Sequence, residues 1–217
     1  MITAYADLLL LFLVLLDLYI IGTGRLVACV RGAAAQGALL SLLPLTLGHH
    51  LDIHVGHTLL LFVGTLILKG LLIPYLLMRT IVHTHVRREV EPFVSLHASV
   101  LLGALLVALS FWLSQRLTLP RPPPSSLLVP AGLSTLFCGF LLLVSRKKAI
   151  TQVVGYLMLE NGIFVFAQFL TREMPIVVEM GILLDVLVGV FVMGIAINHI
   201  NREFDHIDTA ALTSLRD

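Results

Sequence analysis

Seven stretches of this chain are apolar over about the 20 residues that a helix needs to cross a bilayer. They cover roughly 4–22, 25–47, 55–79, 93–115, 127–145, 150–171 and 177–200. Polar residues gather in the short gaps between them, so the pattern predicts helices crossing a membrane and returning. The first run has no basic segment before it and carries Asp7 and Asp17, so it reads as a span rather than a cleaved signal. The second is interrupted by Arg31 and Gln36. Between the fourth and fifth, residues 119–126 read Leu-Pro-Arg-Pro-Pro-Pro-Ser-Ser, too rich in proline to be helical. This loop divides the chain into a four-helix front (1–118) and a three-helix back (127–217). The short turns of the back half imply that its helices pack antiparallel.

Composition agrees. Hydrophobic residues make up 58% of the 217 and charged residues 12%, about half the share of a soluble domain. Mean hydropathy is +1.01. A soluble globular fold and a disordered chain are both excluded. The net charge of +1, with no basic stripe, argues against nucleic acid as a partner. Cys29 and Cys138 lie in apolar runs without metal-binding or haem-attachment spacing and read as small buried hydrophobes. No internal repeat points to a pseudo-symmetric transporter. The expectation is an all-α integral membrane protein of about seven helices, in contact with the lipid bilayer. Nine Lys and Arg fall in loops on one side and three on the other. Basic loops stay cytoplasmic, so the N-terminus is expected outside and the C-terminus inside.

Charges at bilayer depth mark candidate chemistry, because each costs at least about 2.5–3.5 kcal/mol. Lys69, Glu160 and Asp185 lie well inside predicted helices. Gln152, Tyr156, Phe164 and Gln168 share a face with Glu160 at helical spacing, and Asn161 adds an amide beside it. That face should point into the bundle, since lipid offers no hydrogen-bond partner. Gly181 and Gly189 flank Asp185 on its face and allow close helix approach. Lys69 shares a face with His54, Thr58 and Thr65, and Pro74 follows it. In an α-helical register that proline leaves the Gly70 carbonyl without its donor. Glu160, Asp185, Lys69 and Tyr156 are therefore the proton-transfer candidates. Buried carboxyls can also serve only as interhelical hydrogen-bond partners. Asp17 and Arg31 fall toward the cytoplasmic ends of their helices, where a snorkelling or paired structural role is expected. The histidines of 49–57 read as titratable interfacial groups rather than a metal site, and His83 and His85 as part of a headgroup-facing loop.

The stretch Val-Ser-Arg-Lys-Lys-Ala-Ile-Thr-Gln-Val-Val-Gly-Tyr-Leu-Met-Leu-Glu-Asn-Gly-Ile-Phe (144–164) resembles hydrogenase-4 component E and its wider relative, the K subunit of respiratory complex I. So do Glu-Met-Gly-Ile-Leu-Leu-Asp-Val-Leu-Val-Gly (179–189) and Asp-His-Ile-Asp-Thr-Ala-Ala-Leu (205–212). The K-type likeness covers about 127–217. The likeness to component E extends forward through Leu-Lys-Gly-Leu-Leu-Ile-Pro (68–74) and the proline-rich loop. The resemblance implies a membrane-arm subunit of a group 4 nickel–iron hydrogenase, partnered by the other membrane and peripheral subunits in the cell membrane. It implies no catalytic centre and no cofactor in this chain, which also lacks the cysteines for a cluster. K-type subunits conduct protons along helix-borne glutamates. The second of these falls on Asp185. The first falls on Leu157, with Glu160 three residues further along and almost one turn deeper. Two other readings stay open: a structural scaffold between larger subunits, and a subunit of a multi-subunit cation/proton antiporter, against which the four-helix front argues.

Overall fold

The computed structural model describes residues 2–47, 55–84, 93–118 and 122–170. All the regular elements there are helical: α1 (Ile2–Gly22), α2 (Leu26–Leu47), α3 (Val55–Thr65), a π-helical segment (Leu66–Leu72), α4 (Ile73–Thr84), α5 (Leu96–Ser114), α6 (Leu128–Ser145) and α7 (Ala149–Leu170). The α3, π and α4 pieces form one rod, because the residues at both π boundaries, Thr65 and Ile73, keep right-handed helical dihedrals. Six spans result, each long and apolar enough to cross a membrane. They match the first six predicted runs closely. The seventh run, 177–200, lies outside the described residues, and so does the segment carrying Asp185.

The π segment answers Pro74. The Ile73 N–H bonds to the Leu68 carbonyl, five residues back rather than four. In that register the donor missing at proline belongs to the Lys69 carbonyl, not to the Gly70 carbonyl expected from an α-helical count. The Lys69 carbonyl packs against α2, where a Cβ built on Gly37 would lie 2.5 Å from its oxygen.

α6 and α7 form a tight antiparallel hairpin built on glycine. Gly132 and Gly139 are seven residues apart on α6, and Gly155 and Gly162 seven apart on α7. A Cβ on Gly139 would lie 2.3 Å from the Leu159 nitrogen, on Gly155 2.6 Å from the Leu143 nitrogen, and on Gly162 2.6 Å from the Leu136 nitrogen. In lipid there is no hydrophobic drive between apolar helices, so such backbone contact is what holds a pair together.

Two hydrogen bonds join α1 to the chain around α6 at the same sequence offset of 118 residues: Ser125 to Asp7 and Thr135 to Asp17. A constant offset over ten residues, or about 15 Å, means that α1 and α6 run parallel. The end of the proline-rich loop, at Ser125, is thus pinned to α1. Front and back segments also meet where Arg146 reaches from the α6–α7 turn to donate to the Ile21 carbonyl at 2.5 Å. This buried guanidinium caps the C-terminus of α1, whose last carbonyls have no intrahelical donor. It belongs to the interior, although its position in the basic turn counted toward the loop charge. α5 is the outermost of the described helices; Leu101, Leu105 and Trp112 are exposed on it. Arg116 lies 5.6 Å from the Trp112 ring and Lys147 5.1 Å from the Phe93 ring, cation–aromatic pairs of the kind that sit at membrane interfaces.

Candidate functional site: a buried chain of charges and amides

Glu160 sits eleven residues into α7, about 16 Å along it and so near the middle of the span. Its carboxylate is buried and accepts a hydrogen bond from Lys69 Nζ at 3.0 Å. The ammonium also donates to Asn161 Oδ1 at 3.2 Å and lies 5.4 Å from the Phe164 ring centroid. Residues 160, 161 and 164 of one helix therefore form the seat for a cation supplied by the π segment. The wider π turn and the close approach allowed by Gly37 bring that segment against α2, beside α7.

The contacts continue away from the ion pair. Asn161 Nδ2 donates to Gln36 Oε1 at 3.4 Å. Gln36 Nε2 donates to Asp17 Oδ1 at 2.6 Å, and Thr135 Oγ1 donates to Asp17 Oδ2 at 2.8 Å. Glu160, Lys69, Asn161, Gln36, Asp17 and Thr135 thus form a continuous polar chain through α7, the π segment, α2, α1 and α6. Every member is at most 7% exposed. Desolvating these groups is tolerable only because each finds a partner. Apolar clusters close the chain off on both sides: Leu10, Leu13, Leu40, Leu43 and Val165 in one, Ile20, Val30, Ile73, Val154 and Met158 in the other.

Of the four candidates, the structure brings Lys69 and Glu160 into direct contact. Tyr156 lies one turn from Glu160, half-buried against the second of these clusters. Asp185 is outside the described residues. Leu157, where the expected resemblance to K-type subunits set the first glutamate, is buried in apolar packing. The polar face around Glu160 does turn inward: Phe164 is buried, and Gln152 donates to the Arg146 carbonyl at 2.9 Å. Asp17 takes the paired alternative of its two expected roles, whereas Arg31 is exposed. Gln36 and Thr135 were not candidates. The one signal for Gln36 was its interruption of an apolar run, which is the mark of a polar group with a partner inside. Cys29 and Cys138 are buried, and the Cys29 thiol lies 3.9 Å from the Ile20 carbonyl. Among the described residues no three His, Cys, Asp or Glu side chains converge as a metal would require, and most of the 49–57 histidine stretch lies outside them.

Six apolar crossings among the described residues, all helical, around an interior ion pair define the class: a multi-pass membrane protein with charge buried at mid-span. The chain is 35% identical over 208 residues to the uncharacterized protein Rv0085 of Mycobacterium tuberculosis, covering 94% of this chain and 93% of that protein. It belongs to the family of that mycobacterial protein. It is also 31% identical over 116 residues to hydrogenase-4 component E of Escherichia coli K12, and equally to that of Shigella flexneri; this match spans 54% of each chain. No family model and no solved structure matches it.

Proposed function

We propose that this chain is a membrane-arm subunit of a group 4 nickel–iron hydrogenase complex of the formate hydrogenlyase type, and that it helps to carry or gate protons. The observation that carries the proton part is the Lys69–Glu160 pair at mid-span, continued by hydrogen bonds to Asp17. A membrane protein with a structural role alone has little reason to hold a lysine and two carboxyls where each charge is costly. The hydrogenase part is supported by the likeness to component E over about half of each chain. The Lys69 ammonium lowers the cost of charge on Glu160. Drawing the two apart raises that cost, so the carboxylate takes up a proton, and closing the pair releases it. Asp185 continues the path in the C-terminal segment, with Tyr156 a turn from Glu160 on the cytoplasmic side. In this reading the 127–217 region is a K-type unit, the N-terminus faces outward, the C-terminus is cytoplasmic, and the complex resides in the cell's inner membrane.

Affinity purification of the full chain from its native membrane tests membership. Hydrogenase large and small subunits should come with it, encoded beside it in the genome. Recovery with antiporter subunits alone, or as a monodisperse monomer that transports ions in vesicles, would overturn the proposal.

A further inference from the structure

The polar chain has a direction. Lys69 donates to the Asn161 oxygen, the Asn161 nitrogen donates to the Gln36 oxygen, and the Gln36 nitrogen donates to Asp17. Each amide accepts on the side of Lys69 and donates on the side of Asp17. This arrangement requires a donor at one end and an acceptor at the other, and the Lys69 ammonium and the Asp17 carboxylate supply them. Turning either amide alone would set oxygen against oxygen or nitrogen against nitrogen inside an apolar bundle, at the full cost of an unmade buried hydrogen bond. The two amides must therefore turn together or not at all. The reversed chain is satisfied when Asp17 carries a proton and donates to the Gln36 oxygen. Asn161 then presents its NH2 group to Lys69, which an ammonium repels.

We propose that Asp17 is a second proton-binding site of this subunit, and that the Asn161–Gln36 amide pair couples its protonation to the state of the Lys69–Glu160 pair by orientation. This deepens the reading of Lys69–Glu160 as the charge-carrying pair and rests on it. Asp17 gains one proton from the aqueous phase, and no proton passes through the amides, because an amide NH2 has no proton that it can readily give up. The bridge passes on polarity while insulating the two sites from direct proton exchange. Around Asp17, α2 presents Gln36, and α6 presents Thr135 and, within electrostatic reach, the Cys138 thiol. α7 contributes Asn161 and Glu160, beyond Gln36, with Lys69 from the π segment. α5 packs on α1 at Gly103 and carries no charged side chain from Ala98 to Ser114.

The test uses infrared difference titration of the full-length protein in liposomes with carbon-13-labelled aspartate, the Asp17 carboxyl band being assigned by its loss in Asp17→Asn. Replacing the pair together, Lys69→Met with Glu160→Gln, removes the donor at the head of the chain but no net charge. Its through-space effect on Asp17 is therefore small. The proton affinity of Asp17 is expected to change about tenfold, one pH unit. With Gln36→Leu already present, or Asn161→Leu if that variant does not fold, the same pair replacement should change it less than about threefold. An Asp17 that does not titrate where the fold survives would overturn the proposal. So would an affinity that ignores the pair, or a response that survives the amide cuts. Proton pumping is not read in this experiment. A responding Asp17 in a complex that pumps nothing would remove the functional reading and leave the coupling in place.

Discussion

Glu160→Gln alone should destabilise the isolated full-length chain by about 3 kcal/mol, and adding Lys69→Met should recover most of the loss. The single change keeps the size of the side chain but strands an ammonium within hydrogen-bond reach of Asn161 and beside the Phe164 ring, without its Glu160 counter-charge. Neither an amide nor a ring supplies the charge that makes a buried cation tolerable. The double change leaves a polar but uncharged interior. Unfolding midpoints of the parent, the single and the double variant in the same detergent decide the matter. A single variant as stable as the parent would mean that the pair does not hold charge. A double variant no better than the single would mean that shape, rather than charge, is what the site requires.

Gly139→Ala is expected to cost about 3 kcal/mol or more, although it adds one methyl group. That methyl carbon would lie 2.3 Å from the Leu159 nitrogen and 2.8 Å from the Gly155 carbonyl oxygen. Both are backbone atoms of a facing helix, so no side chain can swing aside, and α7 must move. Moving α7 also pulls Glu160 and Asn161 away from Lys69 and Gln36. Gly64→Ala is the control: among the described residues nothing lies within 4 Å of the added carbon. In mid-helix it should gain about 0.5–1 kcal/mol from helical propensity. Thermal unfolding of both variants checks the contrast, and equal stability would mean that the α6–α7 contact is looser than the structure has it.

The spans were legible because bilayer thickness dictates their length: the run at 25–47 is α2 (Leu26–Leu47) and that at 127–145 is α6 (Leu128–Ser145). The charged residues also announced themselves, since Lys69 and Glu160 at that depth must be paired, hydrated or neutral. What could not be read was who partners whom. Lys69 and Glu160 are 91 residues apart, and Asp17 and Thr135 are 118 apart. Such pairs depend on which helices become neighbours and how each is rotated, and no local pattern records that. The π register was half visible. Pro74 foretold a break in the α-helical ladder, but the i→i−5 bond from Ile73 to Leu68 lies where Gly37 of α2 comes against the rod, a neighbour that no local pattern records. The glycines of α6 and α7, spaced by seven on consecutive helices, were a readable sign of the hairpin that sequence reasoning passed over in favour of Gly181 and Gly189.

The pair-neutral variant, Lys69→Met with Glu160→Gln, tests most directly whether this buried pair serves proton movement. Complex yield and proton uptake are measured in the same native-membrane vesicles, with turnover driven by the complex's own electron donor. The expected result is normal assembly with proton uptake per turnover reduced about tenfold. Full proton uptake in the assembled variant would contradict a role in translocation and leave the pair as a structural bond between helices.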